Sequence, residues 1–104
     1  MIIQFNTDKT IEGDERQEGY FTDQIAKELD RFQSHITRIE VHISDENGKK
    51  EGLKDIRCLL EARIEGRQPI AVSDESDTIE KAVSGAIHKL KASLDTIIGR
   101  LQNH

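Results

Sequence analysis

An uninterrupted apolar stripe near the end of the chain constrains its fold more than any other feature. Ile79, Val83, Ala86, Leu90, Leu94, Ile97 and Leu101 follow one another at intervals of three or four, with no proline among them. Intervals averaging near 3.6 place these residues on one side of an α-helix, and a helix of that extent is roughly 30 Å long at about 1.5 Å per residue. An apolar side of that length has to be covered. The strand patterns that precede it supply a sheet face on which it can pack. Asp77 and Glu80 stand at capping-box spacing and predict where the helix begins.

The preceding residues carry strand patterns. Residues 37–44 alternate, with Ile39, Val41 and Ile43 on one side and Arg38, Glu40 and His42 on the other. Asp45-Glu46-Asn47-Gly48 supplies turn residues, since Asn-Gly accepts positive φ, and the polar run through Lys54 predicts a long hairpin loop. A third strand is predicted from about Asp55 to Glu65, with Ile56, Cys58, Leu60, Ala62 and Ile64 facing inward. Gly66-Arg67-Gln68 reads as a turn, and Pro69 to Ser73 as a short fourth strand whose proline suits a strand start or an edge.

At the other end, Met1 to Asn6 has Ile3 and Phe5 at strand spacing, followed by a polar loop to about Asp14. Phe21, Ile25, Leu29 and Phe32 then mark one side of a helix of roughly five turns, weakened early by Gly19. The order β-α-β-β-β-α predicts an α+β fold: a four-stranded mixed sheet with two helices packed on one face. The first two strands should be parallel neighbours joined by a right-handed crossover. The 104 residues read as a single domain, 1–104.

Composition narrows the function. Apolar residues make up 35% of the chain and charged ones 34%, with no Trp, so the core should be one modest aliphatic layer. No apolar stretch approaches the roughly 18 residues of a membrane span, and the acidic N-terminal region does not resemble a signal peptide. A cytoplasmic protein with no membrane partner is expected. Cys58 lies within a strand pattern and reads as a buried core thiol. Glycine-rich phosphate loops, nucleophile elbows and paired-His metal spacing do not occur, so no enzyme activity, cofactor, metal or small-molecule substrate is expected. His35, His42, His88 and His104 are scattered, and Asp74-Glu75 with Asp77 reads as an acidic complement to a helix N-terminus.

The charges are unevenly placed. Residues 1–80 hold eleven Lys and Arg against nineteen Asp and Glu, a net −8, whereas residues 81–104 hold four against one, a net +3. Phosphates respond to local fields as well as to net charge, so a basic segment in an acidic chain is compatible with an RNA partner, and equally with a helix end that complements its own dipole. Counted at 100° per residue, Tyr20, Gln24, Lys27 and Arg31 share a polar stripe on the first helix. An exposed tyrosine beside two cations suits a surface for phosphate and base. On the last helix Lys81, Gly85, His88, Ala92 and Gly99 lie opposite the apolar stripe. Gly85, Ala92 and Gly99 recur every seven residues, a row small enough for something to approach the backbone closely.

Several segments, in their order, resemble the ribosome hibernation-promoting factor family of ribosome-associated translation inhibitors, also described as sigma-factor modulation proteins. They are Ile25-Ala26-Lys27 followed by Leu29, the alternating strand Arg38 to Ser44, the Gly66-Arg67-Gln68 turn, and Ala82-Val83-Ser84-Gly85-Ala86-Ile87-His88-Lys89-Leu90. The resemblance implies the same fold. It also implies binding to the small ribosomal subunit, in the channel used by messenger and transfer RNA, which silences idle ribosomes. Lys27, Lys89 and Arg100 stand where that family places basic residues, with Lys89 and Arg100 on one edge of the helix and Lys91 on the opposite flank.

Together with the stripes above, the candidate nucleic-acid-binding residues are Tyr20, Lys27, Arg31, Lys81, His88, Lys89, Lys91 and Arg100. Ala92, Thr96 and Ile98 depart from the family's basic positions, which implies fewer phosphate contacts and weaker binding. Lys89 is mid-helix, so its charge should matter to folding by no more than about 0.5 kcal/mol. The alternative reading is a protein-interaction module on the same fold, in which Ile98, Ala92 and the glycine row meet another protein and an acidic sheet face repels RNA. A homodimer through the last helix is compatible with either reading.

Overall fold

The computed structural model describes residues 1–7, 15–45 and 56–102, with Thr7, Glu15, Arg16 and residues 99–102 described by backbone alone. Its elements are β1 (Ile2–Thr7), α1 (Glu15–Glu28), β2 (Ile36–Asp45), β3 (Ile56–Ile64), β4 (Ile70–Ser76) and α2 (Ile79–Gln102). The strands lie in the order β1-β2-β3-β4, with β1 parallel to β2 and the other pairs antiparallel. This is the predicted α+β arrangement. The hairpin loop expected between β2 and β3 lies outside the described residues.

Alternation along each strand assembles one apolar face. Val41 stands between Phe5 of β1 and Leu60 of β3, and Leu60 is opposite Val72 of β4. Ile39 is likewise flanked by Ile3 and Ala62, and Ala62 is opposite Ile70. Both helices cover this face, α1 against β1 and α2 over β3 and β4. From α1 and the turn after it, Phe21, Ile25, Leu29 and Phe32 are buried. From α2 the buried residues are Ala82, Val83, Ala86, Ile87, Leu90, Leu94 and Ile98. Fully burying a side chain the size of leucine contributes about 1.5–3 kcal/mol, so these two sets hold the layers together.

The details depart from the sequence pattern in four places. Ile36 and Ile39 are both buried although three residues apart, which an unbroken strand does not allow. The register moves from Ile36 opposite Ile64 to Arg38 opposite Arg63, so Thr37 is the extra residue of a bulge, and its hydroxyl donates to the Arg63 carbonyl at 3.2 Å. The first helix is shorter than five turns. Leu29 leaves helical geometry at φ −104°, ψ 13°, and a 3₁₀ turn over Asp30–Phe32 carries Phe32 into the core.

At the start of α2 the cap is Thr78, not Asp77: the Lys81 N–H donates to Thr78 Oγ1 at 3.1 Å. The apolar arc of α2 is also wider than a single file. Ala82, Ile87 and Ile98 are deeply buried while Ile79 and Ile97 are only partly so. The predicted Gly66 turn is present. Gly66 has φ +74°, in the left-handed region that favours glycine, and the Arg67 N–H donates to the Ile64 carbonyl at 3.1 Å.

Candidate nucleic-acid interface

Because both helices rest on one face of the sheet, their outward sides form a continuous surface with a groove between them. Three side-chain bridges cross it. Gln24 Nε2 donates to Ser84 Oγ at 3.2 Å, Lys91 Nζ donates to Glu28 Oε2 at 3.1 Å, and Arg31 pairs with Asp95. The groove, of about 180 Å³, is lined by Gln24, Glu28, Ser84, Ile87, His88 and Lys91. A second hollow continues from it along α1 past Gln24 and Glu28 to Lys27 and Tyr20.

The structure therefore brings Tyr20, Lys27, His88 and Lys91 onto one surface. Tyr20 is 63% exposed, and its ring meets Phe21 edge-on at 5.2 Å. Phe21 in turn stacks on Phe5 at 6.2 Å, which ties the tyrosine to the core. Among the described residues the side chains of Lys27 and His88, both exposed, have no ion-pair or hydrogen-bond partner. Arg31 also lies over the Phe32 ring at 4.4 Å, a cation–π contact, with its charge turned to Asp95.

Lys89 and Lys81 are elsewhere. Lys89 turns toward β4, where its Nζ lies 3.1 Å from the Asp74 carboxylate and donates to the Ser73 carbonyl at 2.8 Å. Lys81 is one turn above Asp77, 3.5 Å away. The Asp77 carboxyl is held below the usual carboxylate range, first by the Ser76 hydroxyl and then by Lys81. The Arg100 side chain, and with it the edge shared with Lys89, lies outside the described residues. Lys89 bridges helix and strand as a half-exposed ion pair, a contact worth about 0–1 kcal/mol.

Asp74, expected to complement the N-terminus of α2, is instead the strand partner of Lys89 and lies against Gly85. It follows Ile70 and Val72 at strand spacing, so it shares their inward face, where it is directly opposite Cys58. The predicted end of this strand at Ser73 hid that parity. A Cβ on Gly85 would stand 1.7 Å from Asp74 Oδ2, so what approaches the backbone at this member of the small-residue row is the chain's own carboxylate. Cys58 is fully buried beside it, and burial, with the Asp74 charge adding, pushes its thiol up to about 12.

Of the contacts assigned to the protein-interaction reading, one is absent from the surface and another is filled from within the chain. Ile98 is 1% exposed and belongs to the core, and Gly85 is occupied by Asp74; Ala92 is exposed. Nor is the outer sheet face acidic. Among the described residues Arg38, Arg57 and Arg63 balance Glu40, Glu61 and Glu75, with Glu40 4.0 Å from both Arg38 and Arg63. No three His, Cys, Asp or Glu side chains among the described residues converge on a point suited to a metal. No described helix is long and apolar enough to cross a membrane.

A four-stranded sheet that carries two helices on one face, with Lys91 and His88 beside a polar groove and Lys27 in the hollow that continues it, defines a β-α-β-β-β-α protein that offers an open helical surface among its described residues. The chain belongs to the Sigma 54 modulation protein / S30EA ribosomal protein family, which it matches over residues 5–102. Two solved structures are similar in fold. The Protein Y N-terminal domain of Thermus thermophilus is 20% identical with a TM-score of 0.75, over 93% of this chain and 99% of that one. A ribosomal subunit interface protein from Coxiella burnetii is 20% identical with a TM-score of 0.70, over 95% and 99%. No curated protein sequence matches the chain.

Proposed function

We propose that this protein is a non-enzymatic, cytoplasmic ribosome-associated factor that binds the RNA of the small subunit and occludes the channel used by messenger and transfer RNA, holding the ribosome inactive. The observation that carries this reading is the family match across residues 5–102, nearly the whole chain. The name of the Coxiella burnetii structure, a ribosomal subunit interface protein, supports the same partner. The geometry adds a surface on which it can happen: exposed Tyr20 as a stacking platform, with Lys27, His88 and Lys91 around one groove.

Such a mechanism is steric. No bond is made or broken and no cofactor is needed, because the protein acts by filling space that RNA would occupy. With roughly three to six phosphate contacts, affinity should fall steeply as salt rises. The test is co-sedimentation of purified protein with isolated small subunits over a salt series, for the native chain and for Lys27→Glu. Pelleting at low salt that is lost near physiological salt, and weakened by the reversal, is the expected result. Failure to pellet at any salt would overturn the reading. If two copies also associate through α2, the exposed side around Ala92 and Thr96 is what they have to share, and analytical ultracentrifugation of the free protein reads that directly.

A further inference from the structure

Four of the candidate cations are each paired with a carboxylate of the same chain, three of them across the joins between elements. Arg31 of the turn after α1 pairs with Asp95 of α2, Lys91 of α2 with Glu28 of α1, and Lys89 of α2 with Asp74 of β4. Lys81 pairs with Asp77 just ahead of its own helix. A carboxylate at hydrogen-bond distance from an ammonium or guanidinium occupies the position that a phosphate oxygen would take. We propose that Asp74, Glu28 and Asp95 act as built-in competitors of phosphate, setting the RNA affinity of the surface by holding Lys89, Lys91 and Arg31 as internal pairs. This inference rests on the proposed function and names the residues that regulate its strength.

The Asp74 pair shows the most construction. Its side chain keeps only 29% of its exposure, and the notch that admits it exists because residue 85 has no Cβ. Lys89 is held there by two acceptors, the Asp74 carboxylate and the Ser73 carbonyl, so a phosphate has to displace a preformed site. Glu28 and Asp95 are exposed, and their pairs open more readily. The cations are thus graded: on the groove side Lys27 and His88 are available at once and Lys91 and Arg31 after a weak exchange, and on the β4 side of α2 Lys89 is available after a stronger one. Asp95, the single acid after Lys81, falls on Arg31 across the helix pair.

The test uses near-isosteric amides: Asp74→Asn, Glu28→Gln, Asp95→Asn and the triple variant, each measured for co-sedimentation with isolated small subunits over a salt series. Each amide keeps the shape and removes the charge that competes. The triple variant should bind tighter than the native chain, by up to about eight-fold per freed cation near 0.1 M salt, with a salt slope steeper by roughly one per cation. The Glu28→Gln, Asp95→Asn double change affects exposed positions only. It provides the same reading if the buried notch does not tolerate Asp74→Asn, with thermal melting as the check on folding.

A native chain that binds, together with folded variants that bind no tighter and with unchanged slope, would sink the competition while leaving the proposed function standing. Absence of binding by native chain and variants alike, at low salt, would overturn the proposed function and this inference with it.

Discussion

The two helices cover the same sheet face by different means. α1 meets the sheet with large side chains, Phe21 and Ile25, and its glycine, Gly19, faces open space. α2 includes Ala82 and Ala86 among its buried residues, and its Gly85 backbone receives the carboxylate of Asp74. In α1 glycine is only a loss of helix propensity; in α2 it is the condition for a strand side chain to fit beneath the helix. The same residue type can therefore weaken one helix and be required by the other, and only the neighbour across the interface decides which.

Truncation of the α2 core should have the largest effect. Leu90→Ala removes a fully buried side chain, and a loss of about 2–5 kcal/mol is expected from the denaturant midpoint. A loss below 1 kcal/mol would mean that α2 is not the principal cover of β3 and β4.

Alkaline pH probes the layer beneath α2. The Cys58 thiol titrates near 12 when folded, above its ordinary 9.0, so between those values the unfolded chain releases a proton that the folded one keeps. Stability is therefore intact below about pH 9 and should decline as pH rises toward 12. A Cys58→Ala variant should lack that part of the decline, as read from melting curves at stepped pH. At neutral pH the native thiol should resist thiol reagents.

The glycines sharpen the contrast most directly because their signs should differ. Gly85→Ala forces Asp74 aside, an overpacking of about 1–3 kcal/mol against a propensity gain of about 0.5–1 kcal/mol, so net destabilisation is expected. In an Asp74→Ala background the same change should become neutral or stabilising, a coupling measurable by a double-mutant cycle. Gly19→Ala meets nothing within 4 Å and should stabilise by about 0.5–1 kcal/mol. Equal effects at the two positions would dissolve the distinction between the helices.

Much of this architecture was legible because it rests on period. Ile39, Val41 and Ile43, or Leu90 and Leu94, declare their element and their inward side by spacing alone, and the order of elements follows. The family resemblance was legible in the same way, from segments such as Ala82 to Leu90. What stayed hidden depends on exceptions to period or on partners distant in sequence. The Thr37 bulge reverses the parity of Ile36, and no local signal distinguishes Thr37 from its neighbours. Ile98 seemed free because the stripe was drawn one residue too narrow. The pairs Glu28 with Lys91 and Asp95 with Arg31 join residues more than 60 positions apart, so they exist only once both helices have docked. Charge counted along the chain marks the basic segment but cannot show that Lys81, Lys89 and Lys91 are already matched.

The parallel pairing of β1 bears on the order in which the molecule assembles. Each β1 residue joins a β2 residue 36 positions later, Ile2 with Arg38 through Thr7 with Ile43, whereas β2, β3 and β4 are successive antiparallel neighbours. Closing the longer loop carries a larger entropic penalty before any contact rewards it. The β2–β3–β4 meander with α2 is therefore expected to form first, and β1 with α1 to dock last and detach first, as a cooperative unit. Amide exchange should then be fastest in β1 and α1. Tyr20, Gln24, Lys27 and Glu28 all ride on that unit, so the α1 side of the outward groove should open together with it.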